Sequence, residues 1–358
     1  MGLALAVLIS EQLLRTGEQG VAENRDDSRE IVIMSAGGTF EAAQKHAFFE
    51  PFTRDTGIKI TLVPEDNAKL LTSVMLGKPD ADITFVSGGA IANWTSKHAL
   101  EKIDYNIFSK DTLAAMDPKT KMPFGVGAYL YATVIAFNTT KFGNRQPKNW
   151  MDFYNVKDFP GKRSLPKCEK ILDGGLLEGA LLGDGVPPRE LYPIDMNRAF
   201  AKLSQLNPNV GRWWVSGADA PQSLISGEVD MAAAYSGRIS SARKQGAPLS
   251  MSWEQSLVQM DFWVVAKNSP NKRNAMKFLA YISRPEPQAA FAETMLYGPI
   301  NGKAFKLVPH ELLGSLPGAP GLKNKQVFQN YDWWNTVGSN GRTNLDVALE
   351  RCVAQLSQ

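Results

Sequence analysis

The 358-residue chain predicts an α/β protein of two lobes, and three observations carry that expectation. A chain of this length exceeds the usual size of one hydrophobic core, so it divides. Its early part alternates, with IVIMS, IKITLVPE and ADITFVS reading as strands and HAFFEPFTRDTG and NAKLLTSVMLGKPD between them as helices. That order predicts a parallel sheet with helices on both faces. Further on, VDMAAAY (229–235) carries no charge after Asp230 and lies between Gly227 and Gly237, as a strand covered on both faces does.

Composition narrows the function classes. Hydrophobic residues make up 44%, charged residues 21% and the net charge is +3, an ordinary globular balance with no basic stripe for nucleic acid. His46, His98 and His310 lie far apart without ligand spacing, and there is no CxxC or HExxH, so neither metal nor cofactor is expected. No Ser/His/Asp order, GxSxG or P-loop is present, so no catalytic residue is expected either. Cys168 and Cys352 could pair, stay free or be incidental, and the unpaired readings are favoured. Residues 1–30 hold LALAVLI, an apolar run of signal-peptide length without a basic start or a clean A-x-A site. They read as an export signal or as a disordered or helical leader. Elsewhere nothing approaches the ~18 apolar residues of a membrane span.

Taken in order, the elements place a candidate site. The turn SAGGTFEAA (35–43) gives two accessible glycines and Thr39 as a helix N-cap. It is either a tight strand-to-helix connection or a turn that sets Thr39 and Phe40 at a ligand. SGG (87–89) repeats the logic, adding Ser87 and Gly88, and two such turns at one sheet edge form one wall of a cleft. MPFGVGAYLYATVIAFNTTKFG (122–143) contains a strand ending at Asn138 that crosses into the second lobe. NWMDFYNVKDFPGKRSLP starts a new helix and strand there, GGLLEGALLGDG and NRAFAKLSQLNP are helical, and Trp213 and Trp214 read as core. The strand VDMAAAY then brings Tyr235 and Arg238 to its carboxyl end, where open α/β sheets bind ligands. Asp261 sits inside the apolar strand SLVQMDFWVVA, which is unfavourable unless a cation meets it. Structural alternatives stand beside these readings: Arg238 could pair with Glu228 or Asp230, and Asp261 could cap a strand end or pair with Arg238. After Asp261 the chain returns to the first lobe. The expected division is residues 31–137 plus 262–308 in lobe 1 and 138–261 plus 309–358 in lobe 2. Two or three crossovers form a hinge rather than a flexible linker.

Five strings in order, FEPFTRDTGIKITLV, ATVIAFNTTKF, NWMDFYNVKDFPGKRSLP, LISGEVDMAAAYSGR and VQMDFWVVAKNSPNKRNAMKFLAYISRPE, carry a resemblance over residues 31–358. They resemble the periplasmic solute-binding proteins of ABC importers, in the spermidine/putrescine-binding branch of extracellular solute-binding protein family 1, which includes a γ-aminobutyrate-selective binder. The resemblance implies a type II Venus-flytrap, a periplasmic location, a small-molecule ligand and a membrane permease as partner. It also implies a monomer. By the same resemblance Asp261 falls on the aspartate that grips an ammonium, Tyr235 on an aromatic that covers methylenes, and Thr39 and Ser87 on cleft-wall positions. The departures shift the ligand. KCEKILDGG lacks the acidic pair expected after SLP, Gln259 stands where an aromatic precedes the aspartate, and Arg238 replaces a small polar residue. A fixed guanidinium repels a diamine and suits a carboxylate through paired hydrogen bonds. The expected ligand is therefore an ω-amino acid such as γ-aminobutyrate, held by Arg238 and Asp261, with Tyr235 and Trp333 or Trp334 over its methylenes. The alternatives are a polyamine, or a sensor role in which the closed form is presented to a signalling receptor.

Overall fold

Among the described residues, ten strands form one mixed sheet in a computed structural model that describes residues 29–142 and 145–356. The leader expected over residues 1–30 lies outside the described residues up to position 28. Strands β1 (Glu30–Ser35), β2 (Lys59–Pro64) and β3 (Ile83–Ser87) pair in parallel, with β1 in the middle, as the alternation predicts. Between β1 and β2 runs a helix, Gly38–Gln44, continued through a π-helical turn, Lys45–Phe49, into Glu50–Thr56. Gly37 and Gly38 take φ of 73° and 60°, values open to glycine, and these turn the chain into the helix early. Thr39 therefore lies in the first helical turn, exposed, and the N-cap is Gly37.

The remaining strands are β4 (Lys121–Met122), β5 (Gly125–Asn138), β6 (Arg163–Pro166), β7 (Val210–Trp214), β8 (Met231–Tyr235), β9 (Leu249–Val265) and β10 (Gln326–Phe328). The sheet runs β2-β1-β3-β9-β5-β8-β6-β7, with β4 on β5 and β10 on β9. VDMAAAY supplies β8, parallel to β6 but antiparallel to β5. SLVQMDFWVVA is only the end of β9, which begins at Leu249. Its first half, SMSWEQS, is polar and largely half-exposed, so apolar patterning alone does not reveal it.

Two long strands join the halves of the sheet. On β9, Asp261 and the following residues to Val265 pair with β3, while Leu249 to Ser252 pair with Asn138 to Ile135 on β5. β5 in turn gives Thr133 to Phe137 to β8. Because each strand serves one half and then the other in opposite directions, the sheet is mixed rather than parallel. The β5–β9 register shifts between Thr133 and Ile135, opposite Leu257 and Ser252.

Cores lie on either side of this seam. One packs Phe48, Phe52, Trp263 and Phe278 beneath β1 and β3. Another packs helices Trp150–Tyr154, Leu176–Gly183, Met196–Leu206 and Asn344–Leu356 around Phe153, Leu177 and Trp334. Trp214 is fully buried, as a core residue should be, and its Nε1 donates to the Ala233 carbonyl at 2.8 Å. Glu178 is a buried hub, accepting from Tyr192 Oη at 2.6 Å, Trp334 Nε1 at 2.9 Å and Gln329 Nε2 at 3.2 Å.

The last helix brings Cys352 against the loop after β6, and Cys168 and Cys352 form a disulfide with their Cα atoms 5.6 Å apart. The unpaired reading is thus corrected: packing of Ala348 and Cys352 into the second core brings together two residues 184 positions apart. A link closing so long a loop restricts the unfolded chain strongly. Replacing both cysteines by serine is expected to lower stability by about 2–4 kcal/mol, read as a reduced guanidinium midpoint.

Candidate ligand-binding site

A cavity of about 370 Å³ opens where the carboxyl ends of β3 and β8 meet the middle of β9 and β5. Its floor is built by register. Asp261 on β9 lies opposite Ser87 of β3 on one side and Tyr129 of β5 on the other, and all three line the cavity. The Tyr129 hydroxyl donates to Asp261 Oδ2 at 2.5 Å. Tyr131 lies two residues along β5 and so faces the same way. Tyr235, at the end of β8, meets Tyr131 edge-on at 5.5 Å and Trp214 at 5.2 Å. Tyr297 stacks on Tyr129 at 4.9 Å and 18°. The result is an aromatic box around one carboxylate.

Charge in the cavity is mostly negative. Glu65 and Asp173 line it with Asp261, and Lys170 is the cation among its lining residues, 3.6 Å from Asp173. Burial pushes the Asp261 carboxyl up to about 7; Tyr129's hydrogen bond opposes this, Asp173 and Glu65 add to it, and Lys170 opposes it. Loss of solvent also raises Asp173 and Glu65. The Ser87 hydroxyl, reaching from β3, favours the charged form of Asp173.

Arg238 lies in the first turn of helix Ser236–Lys244, exposed, beside the cavity rather than in its lining. Its charge acts on Tyr235 and Tyr297, and its Nε comes within 3.8 Å of where a β-carbon on Gly217 would stand. The structural alternatives for it are not realised. Glu228 faces Arg212 at 3.8 Å and Asp230 pairs with Lys141 at 2.9 Å, so among the described residues Arg238 has no ion pair. Nor does Asp261 pair with Arg238, since its hydrogen bond comes from Tyr129.

The other expected residues divide. Ser87 lines the cavity, and Phe40 supports it from below, with its ring against Phe85 at 5.5 Å and Tyr129 at 5.7 Å. Thr39 is exposed at the helix start and does not line the cavity. Gly88 is packed against the helix Tyr331–Trp334: an added β-carbon would lie 2.5 Å from the Tyr331 ring, and its carbonyl accepts from Asn335 Nδ2 at 3.0 Å. Gln259 is buried with both ends of its amide on Thr133, at 3.2 and 3.1 Å, so it ties β9 to β5 instead of facing solute. Trp333 packs on Tyr192 and Trp334, and Trp334 donates to Glu178, so neither tryptophan covers the cavity.

Tyr129, Tyr131, Tyr297, Trp94, Glu65, Asn67, Lys170 and Asp173 are cavity residues that the sequence reading missed. A signal existed for the first pair: two tyrosines at i and i+2 in the apolar run GAYLYATV place two hydroxyls on one strand face. Asp173, just before the two glycines of ILDGG, supplies an acid in the stretch read as lacking a pair.

The mixed sheet, with a cavity at its strand ends, is that of a two-lobed type II binding protein, and residues 47–311 match the model for bacterial extracellular solute-binding proteins. The chain belongs to that family, a family of carriers rather than enzymes. It is 39% identical to the gamma-aminobutyric acid-binding protein of Pseudomonas aeruginosa, over 82% of this chain and 83% of that one. It is 25% identical to the spermidine/putrescine-binding periplasmic protein of Escherichia coli, over 81% and 83% respectively. Among solved structures it is similar to a GABA receptor, with 32% identity and a TM-score of 0.81 over 91% of this chain and 97% of that one. No helix among the described residues is long and apolar enough to cross a membrane.

A protonated Asp261 carries no charge to attract a cation, so a proton and a cation compete for it. Affinity for a primary ammonium is expected to be level above the carboxyl's value of about 7 and to fall by about tenfold per pH unit below it, measured by calorimetry from pH 5 to 8. For the empty protein the sign reverses. A folded-state value raised from 3.8 gives stability that is present at low pH and lost as pH rises through about 7. Asp261→Asn should therefore raise the melting midpoint at pH 8 and leave it unchanged near pH 4.

Proposed function

We propose that this protein captures a short zwitterion, an ω-amino acid such as γ-aminobutyrate, in the periplasm and delivers it as a monomer to an ABC permease. The observation that carries this reading is Arg238, an arginine without an ion pair among the described residues that stands beside the tyrosine box enclosing Asp261. Asp261 takes the ammonium, Arg238 takes the carboxylate, and Tyr235, Tyr131 and Tyr297 cover the methylenes between. The names of the γ-aminobutyrate-binding relative and structure support it. The division into residues 31–137 plus 262–308 and 138–261 plus 309–358 gives the two jaws, and β5 and β9 give the flexing seam. Solute closes the jaws because Ser87 belongs to one wall and Tyr235 and Arg238 to the other, so contacts to both exist only when shut.

One observation favours a second reading. Three carboxylates, Glu65, Asp173 and Asp261, border one cavity with Lys170 as the cation in its lining, a charge pattern that also suits a diamine such as putrescine. Titration calorimetry separates the two. If the zwitterion reading holds, wild type prefers γ-aminobutyrate to putrescine, and Arg238→Ala weakens γ-aminobutyrate by roughly 30-fold or more, the effect of stranding a buried charge, while relieving the bias against putrescine. A wild type that prefers putrescine, or an Arg238→Ala variant that keeps its affinity for the amino acid, replaces it with the polyamine reading.

A further inference from the structure

Two charges of opposite sign face the cavity from opposite walls and are not partnered with each other. Glu65 follows β2 at the exposed rim of the first wall, where its backbone N–H donates to the Ser35 carbonyl at 2.9 Å and its carboxylate accepts from Asn67 Nδ2 at 2.9 Å. Asn67 is in turn fixed by Thr84 Oγ1 at 2.8 Å, so the carboxylate is held in place. Lys170 projects from the loop after β6 on the second wall, and its present partner, Asp173, lies on the same loop. That loop is rigidly anchored. Cys168 is bonded to Cys352, the Lys170 N–H donates to the Lys167 carbonyl at 2.8 Å and the Gly174 N–H to the Lys170 carbonyl at 2.7 Å. Lys170 nonetheless acts electrostatically on Glu65 and on Asp261 across the cavity.

We propose that Lys170 and Glu65 form a cross-cleft clamp in the solute-bound state, with Lys170 leaving Asp173 for Glu65, and that this pair sets how long solute stays. The exchange is physically modest. Lys170 and Asp173 are 36% and 23% exposed, so their pair is partly screened by water and holds the lysine weakly. Closing the walls removes water from between Lys170 and Glu65, which strengthens their attraction just where it opposes reopening. Asp173, once released, keeps the Ser87 hydroxyl reaching across from β3. With a zwitterion held by Asp261 and Arg238, neither clamp residue needs to touch solute, so both are positioning residues, and their effect falls on dissociation.

The clamp rests on the reading that solute closes the two walls, and a charge-exchange cycle tests it. Lys170→Glu, Glu65→Lys and the double exchange are compared by stopped-flow dissociation of γ-aminobutyrate, or of putrescine if wild type binds that instead. Each single change is expected to speed dissociation about fivefold, the size of one solvent-facing pair becoming enclosed. The double exchange, which conserves the cleft's net charge, should return the rate to within about twofold of wild type. Asp173→Asn, which frees the lysine, should slow dissociation. A double exchange no closer to wild type than the worse single change overturns the clamp. Unchanged melting midpoints in the empty variants separate a clamp from damage to the fold. If wild type binds neither probe, the proposed function fails on its own. The clamp is then judged by small-angle scattering across a panel of other amino acids and polyamines: compaction by the one that binds, lost in both single variants and recovered in the double, supports it, and no recovery overturns it.

Discussion

The antiparallel ladder between β5 and β9 is the interaction on which the rest depends. These two strands are the longest in the sheet, and each contributes to both halves. Their pairing places Asp261 between Tyr129 and Ser87, and so it decides where the negative charge of the cavity lies. Gln259, two residues earlier on the same strand face, uses its whole amide to hold Thr133, next to the register shift. A seam pinned at one point and irregular beside it can bend without coming apart. Tyr331 braces it from behind, its hydroxyl accepting from the Met260 N–H at 2.7 Å and donating to the Met260 carbonyl at 3.2 Å.

The glycines at positions 88 and 89 play a part that neither turn chemistry nor phosphate-loop logic would suggest. A β-carbon on Gly89 would stand 2.2 Å from Leu172 and 2.9 Å from Leu345, and one on Gly88 would enter the Tyr331 ring. Here the turn after β3 packs directly on Tyr331, Leu172 and Leu345. Small residues here let the walls approach until Ser87 and Asp173 can interact, so closeness at the turn and charge pairing at the rim arise from one packing choice.

The strands β1, β2, β3 and β8 were legible because each is a short apolar run between turn residues, and β5 because it is a long one, and such patterning is a local property. The first half of β9 was not, because a polar strand half open to solvent carries no such period. Among site residues, Asp261 was legible from its isolation in an apolar run, and Arg238 from its place just past a buried strand. Gln259 and Trp333 look alike from sequence whether they face solute or support the fold, since each pairs an apolar body or surroundings with a polar tip that could serve either role. Only the third dimension shows that Thr133 and Tyr192 already occupy them. Glu65 and Lys170 stand more than a hundred positions apart in ordinary polar segments, and nothing local marks them as neighbours.

The second core has a consequence for how the chain is made. Its members run from Ile135 to Cys352, and Trp334, Ala348 and Cys352 are wholly buried in it against Phe153 and Leu177. A ribosome releases residues in order, so the helices Trp150–Tyr154 and Leu176–Gly183 emerge long before the helix that covers them. Until Asn344–Leu356 arrives, one face of that half has nothing to bury itself against. This half therefore completes only once Asn344–Leu356 has been made, and its apolar face stays accessible throughout that interval to whatever chaperone or translocation machinery meets the nascent chain.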